Sequence, residues 1–230
     1  MLAPPAMQNL SKPASTATAS VAISQSLLRA RAVVLFADMR GFTRLSERIS
    51  PSEVVALLNE YFALLGEIAE KHDGTVFSMA GDCLLVGFGV PAARSDPLER
   101  ALETAREMLR RFALLSETWR ARHQIETGLG IGINEGDVVA GHVGSPAYMN
   151  YTIIGDAVNI AARLCQRARS GEMLFSADVK RGLDERGLQI GALELPALPL
   201  RGREQPVGIF CIPLPERQSS MGHSVNGQIP

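Results

Sequence analysis

Residues 33–43 read Val33-Val34-Leu35-Phe36-Ala37-Asp38-Met39-Arg40-Gly41-Phe42-Thr43, and the change of character at Asp38 decides how the chain is read. Val33 to Ala37 is an apolar run without alternation, which suits a strand buried on both faces. It stops at a carboxylate, and Gly41 then permits a turn that can aim backbone N–H groups at an anion. Outward from here, Ser50-Pro51-Ser52-Glu53 is a helix start, with a cap, a proline at the first helical position and a glutamate at the third. Val54, Leu57, Leu58, Tyr61, Phe62, Leu65 and Ile68 follow at helical spacing. Asp73-Gly74 ends that helix. Two strands, Thr75–Met79 and Cys83–Phe88, are predicted around a hairpin at Ala80-Gly81-Asp82. Asp96-Pro97-Leu98-Glu99 opens a second long helix by the same capping logic. Beyond it, strands are expected at Thr127–Ile133, Asp137–Val143 and Tyr151–Ile154, then a helix at about 156–169 and a strand at Met173–Phe175. Short strands near Leu193–Leu195 and Val207–Ile212 close the domain. This order predicts an α+β sheet with helices packed on one face.

The 230 residues are 46% hydrophobic and 20% charged, which is enough apolar material for a real core. Residues 1–30 are rich in Ala, Ser, Thr and Pro and read as a disordered or linker arm. Residues 215–230 read as a disordered tail, which leaves a single domain over 31–214. Acids and bases balance at 24 and 23. A nucleic-acid binder carries a basic excess, so no nucleic-acid partner is expected. No apolar run approaches the roughly 20 residues of a membrane span. Cys83, Cys165 and Cys211 are far apart and lack metal-site spacing, which suits reduced thiols and a cytoplasmic location.

Three places put polar residues inside apolar elements. Asp38 ends a buried strand, and Asp82 sits in the hairpin turn. Two strand-end acids side by side repel unless a cation lies between them, and hard oxygen ligands favour Mg²⁺ or Mn²⁺. Alone, each acid has a plainer reading, Asp38 as a helix cap and Asp82 as a turn residue. The third place is Gly155-Asp156-Ala157-Val158-Asn159-Ile160-Ala161-Ala162-Arg163. Asn159 and Arg163 are four apart and share a helix face amid core-like residues. They suit a negatively charged ligand, unless the arginine simply reaches solvent along its stem.

Together these stretches resemble the class III nucleotidyl cyclase catalytic domain, the adenylate/guanylate cyclase family in its bacterial threonine-type form. The likeness covers roughly residues 32–212 and rests on Leu35 to Thr43, on Gly81-Asp82, on Gly132-Ile133-Asn134-Glu135-Gly136-Asp137-Val138-Val139-Ala140-Gly141, and on Tyr151 to Arg163. The resemblance implies a ferredoxin-like domain in a head-to-tail homodimer with sites at the interface. It implies two Mg²⁺ or Mn²⁺ ions per active site on Asp38, Asp82 and the Met39 carbonyl. Backbone amides around Gly41, Phe42 and Thr43 would hold the triphosphate of ATP or GTP. From the other chain, Asn159 would orient the ribose and Arg163 would stabilise charge on the α-phosphate.

The chain departs from the family at the base. Adenylate cyclases typically place lysine, and guanylate cyclases glutamate, four residues before the second metal aspartate; here that position is Ser78. Its partner position is Thr152, as in the bacterial threonine type. A hydroxyl donates or accepts, so neither residue excludes a purine, and Thr152 inclines the reading toward ATP. Several relatives carry a phosphate-binding arginine where this chain has Gly130, and Arg201 lies where relatives often have a triphosphate-contacting lysine. The expected function is conversion of ATP to 3′,5′-cyclic AMP and pyrophosphate. The alternatives are conversion of GTP to cyclic GMP and a catalytically weak regulatory module. A diguanylate cyclase is disfavoured by Ala80-Gly81-Asp82-Cys83-Leu84, and a P-loop enzyme by the absence of any Gly-Lys pair.

Overall fold

The central strand β1 (Leu28–Arg40) is buried on both faces: Val33, Leu35, Ala37 and Met39 enter one core, and Ala32 and Val34 enter another. In this computed structural model residues 27–145, 147–200 and 205–213 are described. The expected arm and tail lie outside them, apart from residues 27–30, where β1 begins. Around β1 run β2 (Thr75–Ala80), β3 (Cys83–Phe88), β4 (Gly128–Ser145), β5 (Tyr148–Ile154), β6 (Glu172–Ser176), β7 (Leu193–Leu198) and β8 (Val207–Pro213). They form one sheet in the order β2-β3-β1-β4-β6-β8-β7, with β5 added to β4. Among the described residues only the β4–β6 pairing is parallel.

The expected α+β sheet is present. Helices α1 (Phe42–Arg48), α2 (Pro51–Lys71), α3 (Pro97–His123) and α5 (Ala177–Glu185) cover one face, with Leu45, Tyr61, Leu65, Met108, Phe112, Trp119 and Leu183 in its core. The one-face arrangement holds for these four. Helix α4 (Asp156–Arg167) packs on the opposite face, where Ala157 and Ala161 meet Ala32 and Val34. The start of α2 is as the sequence predicts: Glu53 N–H donates to Ser50 Oγ at 3.3 Å and Ser50 N–H to Glu53 Oε2 at 2.9 Å. At α3 the capping expectation fails, because Asp96 adopts φ 56° and its side chain makes no cap bond. The two strands expected at 127–133 and 137–143 are one continuous β4, since Asn134 to Gly136 keep their pairing with β1.

Alternation along β4 explains how α4 comes so close. Ile131 and Ile133 face the α2/α3 core, while Gly130, Gly132 and Gly136 face α4 or its end. A Cβ on Gly132 would strike Cys165 N and Ala161 O, both helix backbone, and one on Gly136 would lie 2.9 Å from Ala157 Cβ. Between them, buried Asn134 donates through Nδ2 to Ala157 O at 3.1 Å. Helix backbone lies directly on strand backbone here.

Gly132→Ala should therefore destabilise the fold by about 1–3 kcal/mol or more, because helix backbone cannot turn aside as a side chain can. Gly66→Ala in α2 should instead stabilise it by about 0.5–1 kcal/mol; a Cβ there meets only Met79 Cε, at 3.9 Å. Urea denaturation reads both, and an unchanged midpoint for Gly132→Ala would show that the α4–β4 contact has slack.

Candidate active site

Asp38 lies near the end of β1, opposite Cys83 of β3 and Gly130 of β4. The β2–β3 turn is Gly81-Asp82, with Gly81 at φ 60°, a conformation that suits glycine. Asp82 directly precedes Cys83, so the sheet brings the two acids to adjacent strand ends. Burial and then the charge of Asp38 push the Asp82 carboxyl above its usual range; its own and the Met39 backbone N–H groups and the Arg40 charge oppose the rise. Burial pushes the Cys83 thiol up to about 12, with Asp38 and Asp82 adding to it. Burial also pushes Cys165 up to about 12. Neither thiol is a nucleophile at neutral pH.

Both acids line a cleft of about 780 Å³ that also takes in Met39, Gly41, Phe42 and Thr43. Gly41 starts α1 at φ 86°, and a Cβ there would lie 2.6 Å from the Glu126 carbonyl. Leu45 N–H is the first to close the helix, onto Gly41 O at 3.0 Å. The N–H groups of Phe42, Thr43 and Arg44 come before it without intrahelical acceptors. Arg44 and Arg120 add guanidinium groups to the cleft wall. The donor set fits a hard divalent cation, with two carboxylates and a strand-end carbonyl and no sulfur or imidazole. Among the described residues no three His, Cys, Asp or Glu side chains converge as a fuller metal cluster.

Arg40, given no role in the sequence reading, is held on all sides. Its Nε donates to Ala168 O at 2.8 Å, Nη1 pairs with Asp38, and Nη2 donates to Cys165 O. The guanidinium fills the space over Gly130, where a Cβ would lie 2.5 Å from Nη2. No sequence signal marks this role, because Gly130 comes to lie opposite Asp38 only when β4 pairs with β1.

Asn159 and Arg163 project from the exposed side of α4. They line a second cleft of about 770 Å³ together with Arg167 and the 198–200 segment, and they are absent from the walls of the acid cleft. Arg163 Nη1 donates to Gln166 Oε1 at 2.9 Å. Ser78 and Thr152 are half-buried on β2 and β5. They adjoin Phe77 and Tyr151, whose rings stack with centroids 5.9 Å apart. A bulge at Phe77 shifts the register so that Ser78 pairs with Leu85, which the sequence pattern does not announce. Arg201 lies outside the described residues. One chain thus unites Asp38, Met39, Asp82 and Gly41–Thr43 in one cleft and Asn159 and Arg163 in another. Among the described residues no helix is long and apolar enough to cross a membrane.

The family model for the adenylate and guanylate cyclase catalytic domain matches residues 28–212. The fold resembles the crystal structure of the adenylyl cyclase CyaB from P. aeruginosa, with TM-score 0.77 and 31% identity over 84% of this chain and 98% of that one. It also resembles the guanylyl cyclase Cya2, with TM-score 0.73 and 28% identity over 84% and 97% of the two chains. An uncharacterized protein of Mycobacterium tuberculosis, Rv1320c, is 38% identical over 76% of this chain. The chain spans about 30% of the length of that relative. A family match that runs from the first residue of β1 to the last but one of β8 makes this chain a member of the adenylate and guanylate cyclase catalytic domain family.

Proposed function

We propose that the chain converts ATP to 3′,5′-cyclic AMP and pyrophosphate. The observation that carries this reading is the pair Asp38 and Asp82, two mutually repelling carboxylates beside the amide-lined turn of α1. Asp38, Asp82 and the Met39 carbonyl would hold two Mg²⁺ or Mn²⁺ ions. Bound there, the ions supply charge neutralisation for the triphosphate and acidity for the 3′-hydroxyl. The α1 turn orients the phosphate tail. The ribose 3′-oxygen forms a bond to the α-phosphorus as the bond to pyrophosphate breaks, and the 3′-hydroxyl proton leaves to solvent. Positioning and charge stabilisation are the protein's share of such a reaction.

Separation of Asn159 and Arg163 from the acid cleft supports a homodimer with shared sites. In a two-fold head-to-tail pair, α4 of one copy faces the acids of the other, and every contact occurs twice. Met79, Val143, Tyr148 and Ile154 are large apolar residues left exposed on β2, β4 and β5, and such a pairing gives them cover. Likeness to both an adenylyl and a guanylyl cyclase leaves the base to Ser78 and Thr152. Thr152 favours ATP as substrate, with GTP as the alternative.

Purified protein with Mn²⁺ and ATP should yield cyclic AMP and pyrophosphate by chromatography, and Asp38→Ala or Asp82→Ala should abolish turnover. Mixing inactive Asp38→Ala and Arg163→Ala chains should restore about a quarter of wild-type activity after random exchange. A mixture that stays inactive despite proven exchange refutes shared sites.

Ser78→Lys should raise the ATP:GTP preference about tenfold or more, because an ammonium donates to adenine N1 and leaves the guanine N1–H unsatisfied. An unchanged ratio in an active variant removes Ser78 from base selection.

Stability should report the cost of ionising Asp82, set first by its burial and then by the Asp38 charge. The Asp82 carboxyl titrates higher in the folded chain than in the unfolded one. Its contribution is therefore retained below the unfolded range and lost as pH rises through the folded one. Asp82→Asn should raise Tm of the metal-free protein at about pH 7.5, and this gain should fade below about pH 4. An equal gain at both pH values would rule out the part-buried Asp82 charge as its source.

A further inference from the structure

One guanidinium joins the two halves of the chemistry. Arg40 reaches three acceptors in two places: the Asp38 carboxylate on its own strand, and at the end of α4 the Cys165 carbonyl in its last turn and the Ala168 carbonyl just past it. The Cys165 carbonyl also accepts from Ala168 N–H at 3.1 Å, and the carbonyls at this helix end carry the negative end of the helix dipole. A planar fork of five N–H groups can serve both them and a carboxylate, whereas a lysine ammonium has neither the reach nor the geometry. The pair is half-buried, with side-chain exposures of 24% for Arg40 and 27% for Asp38. Gly130 makes the room, since any Cβ there would displace the guanidinium.

We propose that Arg40 is a positioning residue that locks the carboxylate of Asp38 and the end of α4 into one unit. Nη1 engages Oδ2 of Asp38 and leaves Oδ1 to serve as a ligand. Outer partners of ligating carboxylates orient them, and their loss weakens metal binding or activity about 10–100-fold. The functional consequence rests on the metal and dimer reading above. The acid that serves one site and the Asn159–Arg163 helix that serves the other are set by the same side chain, so neither can shift alone.

Two measurements on the full chain test this. The first is hydrogen exchange of residues 164–169 in metal-free protein, which does not depend on the proposed function. Arg40→Met, Gly130→Ala and Asp38→Ala should each speed exchange there about tenfold or more, the loss of a charge-assisted bond, while residues 54–68 of α2 stay protected. The second is Mn²⁺ binding with 2′,3′-dideoxy-ATP, which has no 3′-hydroxyl to cyclise, followed by the paramagnetic signal of free Mn²⁺. Binding should weaken about tenfold or more in Arg40→Met and Gly130→Ala, and Arg40→Lys should not restore it. Gly130→Ala keeps the charge and only displaces it, so it carries both readouts if Arg40→Met does not fold. Unchanged exchange in Asp38→Ala overturns the lock. Loosened α4 with unchanged Mn²⁺ binding reduces Arg40 to a helix cap and overturns its role toward Asp38. Wild-type protein that binds no Mn²⁺ overturns the metal reading, and the exchange result then decides the lock alone.

Discussion

Helix α4 lies with its backbone directly on β4 at Gly132, and much of the site follows from that contact. A strand buried between a helical layer and a single close helix needs large residues on one side and almost none on the other. Ile131 and Ile133 meet the first need; Gly130, Gly132 and Gly136 meet the second. Because α4 sits so low, its final carbonyls come within reach of Arg40 from the neighbouring strand. Its outer face is left exposed, with Asn159 and Arg163 on it. A helix one side chain higher would leave the guanidinium without its carbonyl acceptors.

The acid pair works against stability, and under the proposed function it serves the chemistry. Partial burial of the Asp82 carboxylate raises its energy, and the charge of Asp38 at the adjacent strand end adds to it. Arg40 relieves Asp38 from below, while the Asp82 and Met39 N–H groups relieve Asp82. A divalent cation at the proposed site would offset the remainder. Sites of this kind sit on rigid elements so that repulsion cannot spread the ligands apart. Here both acids are tied to the middle of one sheet through the β1–β3 pairing.

Much of the fold was legible because its elements carry strong local signals. The Ser50–Glu53 capping box, the helical stripe of α2 and the apolar run of β1 each point one way. The missing pieces have physical reasons. Asn134-Glu135-Gly136 looks like a break, yet its backbone stays paired because β1 continues alongside. Helix α5 is short, and its cap, Ser176 Oγ accepting from Val179 N–H, is a single residue in an unremarkable stretch. The placement of α4 depends on glycines about 20 to 30 residues earlier in the chain, a long-range fit that periodicity does not carry. At the site, Asp38 and Asp82 stood out as charges at strand ends. Arg40 did not, since its partners at Cys165 and Ala168 become neighbours only once the sheet has formed.

The thiols beside the acids carry a consequence for ligand chemistry. Cys83 adjoins Asp82 and is only half-buried, so it looks like a handle for an electrophilic inhibitor directed at the cleft. With the thiol pushed up to about 12 by burial, the reactive thiolate is scarce near neutral pH. Michael acceptors and haloacetamides that discriminate by thiolate content would pass it over for ordinary cellular thiols. An inhibitor of this cleft is better built as an anion with hard donor atoms, matched to the amide-lined turn of α1 and the guanidinium groups of Arg44 and Arg120.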